Sequence, residues 1–193
     1  MAKIVNSQQS PWRDARNWAE HALARARAPQ SRQALLAIYL NDHLAGATGG
    51  VELARRTAAW YPVPGQQATL ERLAADIAQD RRALLDLMSV LGAPVRRYKV
   101  GAAWAAEKAG RLKLNGSLLS RSALSNLEEL EMLRLGVEGK AAGWRTLREL
   151  AKSDGRLSPG ALDELIARAR EQASLLEELR VQAAARLIGA DTP

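Results

Sequence analysis

The stretch from Leu127 to Glu149, LEELEMLRLGVEGKAAGWRTLRE, decides the fold. Its residues are mostly helix formers, and its apolar residues recur at helical spacing, so we predict one long α-helix. Glu131, Glu138 and Arg145, spaced by sevens, fall within the apolar face. Charges are normally excluded from a buried face unless they are paired or bind something. The stretch therefore predicts a bundle that encloses a polar row. The predicted apolar face comprises Leu124, Leu127, Leu130, Leu135, Val137, Ala141 and Ala142.

Three further stretches show the same helical pattern between clear start and stop signals. Ser31 is a suitable N-cap for a first long helix, which ends near Tyr61 before a proline-rich turn. A second helix is predicted from about Gln67 to Leu91, with a glycine directly after it. Ser158 caps a fourth helix that has a proline at its first position and ends near Ile188. The fold class is therefore all-α.

The connection between the second and third helices, residues 93–116, is long and basic. Short loops join antiparallel neighbours, whereas a connection of about 25 residues can return the chain to the other end of a bundle. Residues 1–30 form a basic arm, in which 11–28 predict an additional short helix. We therefore predict an up-down four-helix bundle over residues 31–193 with one long crossover between helices two and three.

The net charge of +7 lies outside the four main helices. Residues 1–32 carry a net +4 and residues 92–116 a net +5, so the remaining segments sum to −2. This distribution suits a phosphate-bearing or acidic partner, or it reflects two solvated basic segments. Aromatic and arginine residues often dominate interfaces. The candidate surface contacts are Trp12, Trp18, Arg96, Arg97, Lys99 and Trp104.

The composition excludes several classes of protein. The chain has no Cys, which excludes a disulfide framework, a thiolate metal site and a cysteine nucleophile. Its first residues contain no apolar segment typical of a signal peptide, and no apolar run approaches the ~18 residues of a membrane span. We therefore expect a cytoplasmic protein with no transmembrane segment.

The other predicted helices also place polar residues on their inner faces. His43, Asp80 and Gln172 fall near the middle of their helices, so an up-down bundle brings them to one level with the polar row of the third helix. The first helix also carries Gly46, Gly49 and Gly50, which favour close packing of another backbone or, alternatively, leave space for a ligand. The predicted buried polar network comprises His43, Asp80, Glu131, Glu138, Arg145, Gln172 and Arg180.

This polar row has three interpretations. The two arginines can neutralise two of the three carboxylates, which gives an ion-pair network that fixes the register of the helices. Alternatively, one His with several carboxylates suits a site for Fe, Mn or Zn. A third interpretation is a pocket for an organic ligand. The candidate metal ligands are His43, Asp80, Glu131 and Glu138.

Four long helices, a long crossover and inward acids at mid-bundle resemble the ferritin-like superfamily over residues 31–189. Its di-iron members take a Glu from each of two helices and a Glu-x-x-His pair from each of the other two. The second helix here offers Asp76 and Asp80 but no His, and the fourth has no His. The chain therefore resembles an uncharacterised bacterial branch with a degenerate or absent di-iron motif, which implies that the metal site has been lost or rebuilt.

Three functions are compatible with these features. The first is a non-catalytic bundle that acts by protein interaction or homodimerisation around a buried ion-pair network. The second is a metal-binding protein with a divergent centre and a redox or storage role. The third is non-specific binding of nucleic acid or an anionic surface through the arm and the crossover. The sequence contains no phosphate-binding loop, identifiable triad or zinc signature, so it favours a protein that is not an enzyme.

Overall fold

The structure, a computed structural model, describes residues 31–63, 65–96 and 123–189. Contacts along the chain divide it into two compact units, 1–35 and 36–193. The second unit contains nearly all of the described residues and all of the features that position the site. The predicted basic arm, its short helix and most of the predicted crossover lie outside the described residues.

Within the described residues, the backbone forms four α-helices and no β-strand, which confirms the all-α prediction for this part of the chain. None of these helices has both the length and the apolar character needed to cross a membrane. The ends of the first, second and fourth helices lie close to the predicted ones. The helices are α1 (Arg32–Trp60), α2 (Gln67–Val90), α3 (Ala123–Leu150) and α4 (Pro159–Leu187).

Local chemistry explains where these helices begin and end. Ser158 Oγ accepts a hydrogen bond from the backbone N–H of Ala161 at 3.4 Å, which satisfies one of the unpaired donors at the start of α4. Gly92 follows α2 with φ +66°, a left-handed conformation that favours glycine. The N–H of Ala93 donates to the Met88 carbonyl at 2.9 Å, so α2 ends in a Schellman motif.

Side-chain contacts show that α1 and α3 are antiparallel neighbours. Tyr39 Oη donates to Thr146 Oγ1 at 3.0 Å. Nearly five turns further along α1, at about 3.6 residues per turn, Arg56 Nε donates to Glu129 Oε1 at 3.2 Å. Because the residue numbers rise along α1 while they fall along α3, the two helices run in opposite directions.

The helices α2 and α4 are also antiparallel neighbours. Gln66, just before α2, donates through Nε2 to Gln182 Oε1 at 2.6 Å. In the middle of α2, Asp80 Oδ2 accepts from Gln172 Nε2 at 3.1 Å. The residue numbers again change in opposite directions along the two helices. This contact also shows that the middle of α2 meets the middle of α4.

Short turns join the two remaining pairs of neighbours. Arg81 Nε of α2 donates to Thr48 Oγ1 of α1 at 3.0 Å, and only residues 61–66 separate these helices in the chain. Arg148 Nε of α3 donates to Asp163 Oδ1 of α4 at 2.9 Å. Each helix therefore packs against two antiparallel neighbours, as expected for a four-helix bundle.

The predicted inner face of α3 is wrong by about one residue, or about 100° of helical rotation. Leu124 and Leu135 are exposed, although the sequence pattern predicts both on the apolar face. Because these two leucines belong to the predicted face, the centre of that face lies towards them. The charges at 131, 138 and 145 therefore fall inside the predicted face. The observed buried face comprises Leu130, Leu133, Val137, Ala141, Trp144 and Leu147.

A buried asparagine of α1 hydrogen-bonds to the segment that follows α2. Asn41 is fully buried, and its Nδ2 donates to the Pro94 carbonyl at 2.9 Å and to the Ala37 carbonyl at 2.7 Å. Its Oδ1 accepts from the backbone N–H of Arg96 at 2.6 Å. One side chain therefore satisfies two backbone groups of an irregular segment that has no helix of its own to pair them.

Candidate functional site

Asp80, in the middle of α2, is the centre of a buried polar cluster and is only 1% exposed. Lys140 of α3 donates from Nζ to Asp80 Oδ2 at 2.5 Å, and Arg168 of α4 donates from Nη2 to Oδ1. Gln172 donates to Oδ2, and its own Oε1 accepts from Lys140 Nζ. These four residues, called the Asp80 cluster below, join three helices through one carboxylate.

The charges in the Asp80 cluster are unequal, because one carboxylate faces two cations. The side chain of Arg168 is partly exposed, so water partly solvates its charge. The Lys140 side chain is only 14% exposed. Burial lowers the pKa of the Lys140 amine and the repulsion of Arg168 adds to this, while the attraction of Asp80 and, more weakly, of Asp76 opposes it. Of the two cations, Lys140 is therefore the one that can become neutral, because a guanidinium keeps its charge.

A cavity of about 430 Å³ lies between α1, α2 and α3 and reaches Asp80 and Lys140. Its volume falls within the range of roughly 300–1,000 Å³ that is usual for small-molecule sites. Apart from a few charged groups, its walls are apolar or aromatic. The walls include Leu40, Ile77, Leu84, Leu133, Val137, Trp144 and Leu147.

Glycines on two helices keep this cavity open. Gly46 and Gly50 of α1 and Gly136 and Gly139 of α3 all line it. A Cβ atom added at any of these four positions would have no described heavy atom of another element within 4 Å. The close-packing interpretation of the α1 glycines is therefore wrong for Gly46 and Gly50 within the described part of the chain, because no backbone of another helix there lies within 4 Å of an added Cβ. They leave space instead.

A fifth glycine is different, because an aromatic ring lies against it. A Cβ atom added to Gly143 would lie 3.0 Å from Cε1 of His43. The His43 ring meets Tyr39 edge to face, with centroids 4.5 Å apart. Burial lowers the pKa of His43, while the charge of Asp42 opposes this. His43 therefore presents a neutral imidazole to the cavity at neutral pH.

The free energy of unfolding of two alanine variants, at Gly46 and at Gly143, tests this difference between open and occupied space. We expect Gly46→Ala to raise the free energy of unfolding by about 0.5–1 kcal/mol, the usual gain of Ala over Gly in a helix. Gly143→Ala should show no such gain, because its methyl group displaces His43 at a cost of about 1–3 kcal/mol. Urea unfolding measures both. His43→Ala should restore the gain at position 143, and equal stabilisation by the two single variants would contradict the geometry.

The structure does not assemble the predicted polar row. Asp80 and Gln172 are buried and bonded to each other, but the three charges of α3 at 131, 138 and 145 are exposed. Arg180 is half-buried and pairs at the surface with Glu177 and, at 3.8 Å, with Glu131. His43 lines the cavity without a bond to the Asp80 cluster. The physical reason is the rotation of α3 described above.

The predicted metal ligands His43, Asp80, Glu131 and Glu138 do not converge either. Among the residues that the structure describes, no group of three or more His, Asp or Glu side chains could hold a metal ion. Glu131 and Glu138 face solvent, while Lys140 and an arginine occupy the oxygens of Asp80. The side chains present therefore do not fit a centre of Fe, Mn or Zn at this position.

Sequence reasoning missed the two cations of the Asp80 cluster. Lys140 lies three residues after the buried Val137 and four before the buried Trp144, and this spacing was the available signal. Arg168 lies one helical turn before Gln172. A lysine can lie inside a bundle because its long apolar stem packs against neighbours.

Of the predicted surface contacts, the structure describes one residue. Arg96 is half-buried, and its backbone N–H is bonded to Asn41. The prediction for the others therefore stays open. The candidates outside the described residues are Trp12, Trp18, Arg97, Lys99 and Trp104.

Comparisons with known proteins leave the ferritin-like resemblance untested. Membership of the ferritin-like superfamily therefore stays a prediction. No family model matches the chain, and neither a curated protein nor a solved structure matches it.

Proposed function

We propose that this bundle binds a small, largely apolar molecule in the cavity, with one polar group of that molecule at Lys140. The observation that carries the proposal is an apolar space of about 430 Å³ with the Asp80–Lys140 ion pair in its lining. Small-molecule sites typically combine apolar walls with a few well-placed polar groups. Sites between the helices of a bundle are a frequent form of this arrangement.

The glycines support this proposal energetically. A glycine within a helix is less favourable than alanine by roughly 0.5–1 kcal/mol. Four such residues line the cavity, and the positions of their absent Cβ atoms are not taken by another described element. Closer packing of helices therefore gives no compensation at these positions. Space for a ligand is the function that accounts for them.

The Asp80 cluster sets the polar requirement of the ligand. The ammonium group of a lysine has three N–H donors, and Lys140 uses two of them for Asp80 and Gln172. Among the residues that the structure describes, the third donor has no partner, so it is available to an oxygen of the ligand. A carbonyl, hydroxyl or carboxylate group on an otherwise apolar molecule meets this requirement.

Filling the cavity tests the proposal. Anilinonaphthalene sulfonate, a fluorescent apolar anion, should bind the wild-type protein saturably. We expect Gly50→Leu to weaken binding at least about tenfold, which corresponds to ~1.4 kcal/mol, because its side chain occupies the cavity. Gly160→Leu is the matched control, since Gly160 lies at the exposed start of α4, where an added Cβ also meets nothing. Absence of saturable binding to the wild-type protein would overturn the proposal.

We also infer the connectivity of a ferritin-like bundle. Because α2 and α3 are each antiparallel to α1, they run in the same direction. A connection between them then joins opposite ends of the bundle, which supports the predicted crossover.

Distance measurements test this connectivity, because the chain has no cysteine of its own. Spin labels at Ser89→Cys and Ser125→Cys mark the end of α2 and the start of α3. We expect about 30 Å or more between them, since the 24 residues of α2 span about 36 Å. A separation of only about 10–15 Å, typical of antiparallel neighbours joined by a short loop, would contradict the crossover.

The interaction function predicted from the sequence has one feature in its favour. Met132 and Leu135 of α3 are about three-fifths exposed, with relative exposures of 59% and 64%. Association with a second copy or another protein is one use of such residues. Homodimerisation stays a prediction, and the sedimentation of the purified protein over a range of concentrations measures it.

A further inference from the structure

We propose that Lys140 is a covalent ligand site, which forms an imine with an apolar aldehyde held in the cavity. This inference rests on the proposed function, because the cavity must first hold the apolar part of the aldehyde. It adds a chemical class of ligand and a bond that simple binding does not require.

The position of Lys140 meets the geometric requirement for this reaction. The residue lies within α3 and lines the cavity, and its Nζ is held at 2.5 Å from Asp80 Oδ2 and bonded to Gln172 Oε1. An amine that is fixed beside a binding cavity meets a bound aldehyde at a high effective concentration. An exposed lysine on a flexible stem has no such advantage.

The charges around Lys140 meet the electronic requirement. An amine must lose its proton before it can attack a carbonyl carbon. When Lys140 is neutral, Asp80 and Arg168 remain as a balanced pair, because a guanidinium keeps its charge. Burial and the charge of Arg168 also lower the pKa of Lys140, against the attraction of Asp80 and Asp76. The cluster therefore tolerates a neutral amine without leaving a buried charge unpaired.

The reaction needs no oxidant or reductant. The lone pair of Nζ forms a bond to the carbonyl carbon, the carbonyl π electrons move to oxygen, and one proton passes from nitrogen to oxygen. The resulting hydroxyl group then leaves as water with the second nitrogen proton, while a C=N bond forms. One amine and one aldehyde thus give one imine and one water. Asp80 lies beside the nitrogen and can balance the charge of a protonated imine.

Reductive trapping tests the inference on the full chain. The protein is treated with nonanal and cyanoborohydride at neutral pH, and peptide mass spectrometry locates the reduced adduct. We expect Lys140 to be labelled at least about tenfold faster than Lys152, because the cavity holds the bound aldehyde beside Lys140 at a high effective concentration. The Lys152 side chain is 64% exposed and pairs with Glu149 at the surface. Equal labelling of the two lysines would overturn the inference.

A matched variant and a matched ligand separate the possible failures. Lys140→Arg keeps the positive charge and the partners of the cluster but cannot form an imine, so the adduct should vanish. Nonanol has the same chain without the carbonyl group, and its displacement of anilinonaphthalene sulfonate reports binding alone. If nonanol and nonanal both displace the dye but no adduct forms at Lys140, the imine is excluded and the proposed function stands. If neither displaces the dye, the proposed function fails as well.

Discussion

Replacement of Asp80 with alanine should lower the free energy of unfolding by about 3–5 kcal/mol, the usual cost of removing one partner of a buried ion pair. The variant leaves Lys140 and Arg168 without their shared carboxylate. Arg168 is partly exposed and can turn towards water, whereas Lys140 is largely buried. Most of the expected cost therefore arises at Lys140. Urea unfolding followed by circular dichroism measures it.

Two further variants show whether the unpaired charge is the cause. Asp80→Ala combined with Lys140→Met removes the buried cation as well, so it should recover more than half of the loss, because buried ion pairs contribute little net stability. Asp163→Ala is the matched surface control. Its carboxylate also accepts from an arginine, Arg148, at 2.9 Å, but is 57% exposed, so its loss should cost less than about 1 kcal/mol. Equal losses for Asp80→Ala and Asp163→Ala would contradict the role of the Asp80 cluster.

Replacement of Asn41 with leucine should have the next largest effect, a loss of about 1–3 kcal/mol. The two side chains are similar in size, so the core stays filled. The Pro94 carbonyl and the Arg96 N–H, however, lose the partner that now pairs both of them. An unpaired backbone group that is partly buried retains much of its desolvation penalty. Chemical denaturation measures the change in stability.

Hydrogen exchange locates the effect of the Asn41 variant. The Arg96 amide should exchange faster by at least about tenfold, since its acceptor is gone. The Ala93 amide is the internal control, because it donates to Met88 within the end of α2 and not to Asn41. Faster exchange at Ala93 and Arg96 alike would indicate general loosening of α2, and the specific role of Asn41 would then be wrong.

The sequence predicted the helices well because their ends depend on local chemistry. The N-cap at Ser158, the proline after it and the left-handed Gly92 each act within one turn of the chain. Such signals need no knowledge of tertiary structure. The prediction of the all-α class and the predicted ends of the first, second and fourth helices therefore agree with the structure in the described residues.

The rotation of α3 could not be predicted in the same way. Leu135 and Met132 are as apolar as the residues of the core, yet both lie at the surface, and the inward Lys140 is charged. Which face turns inwards depends on partners from α2 and α4, which the sequence of α3 does not reveal. Asp80 and Gln172 were easier to place, because leucines or isoleucines surround each of them at helical spacing.

The glycine-lined cavity also has a consequence for the lifetime of the protein in a cell. Compared with alanine, the four helix glycines together lower the free energy of unfolding by roughly 2–4 kcal/mol. The total stability of a domain is typically about 5–15 kcal/mol. A ligand at a hundred times its dissociation constant adds about 2.7 kcal/mol. Occupied molecules would then escape proteolysis longer than empty ones, because degradation follows the unfolded fraction. The cellular abundance of this protein would accordingly rise with the supply of the proposed ligand, even at a constant rate of protein synthesis.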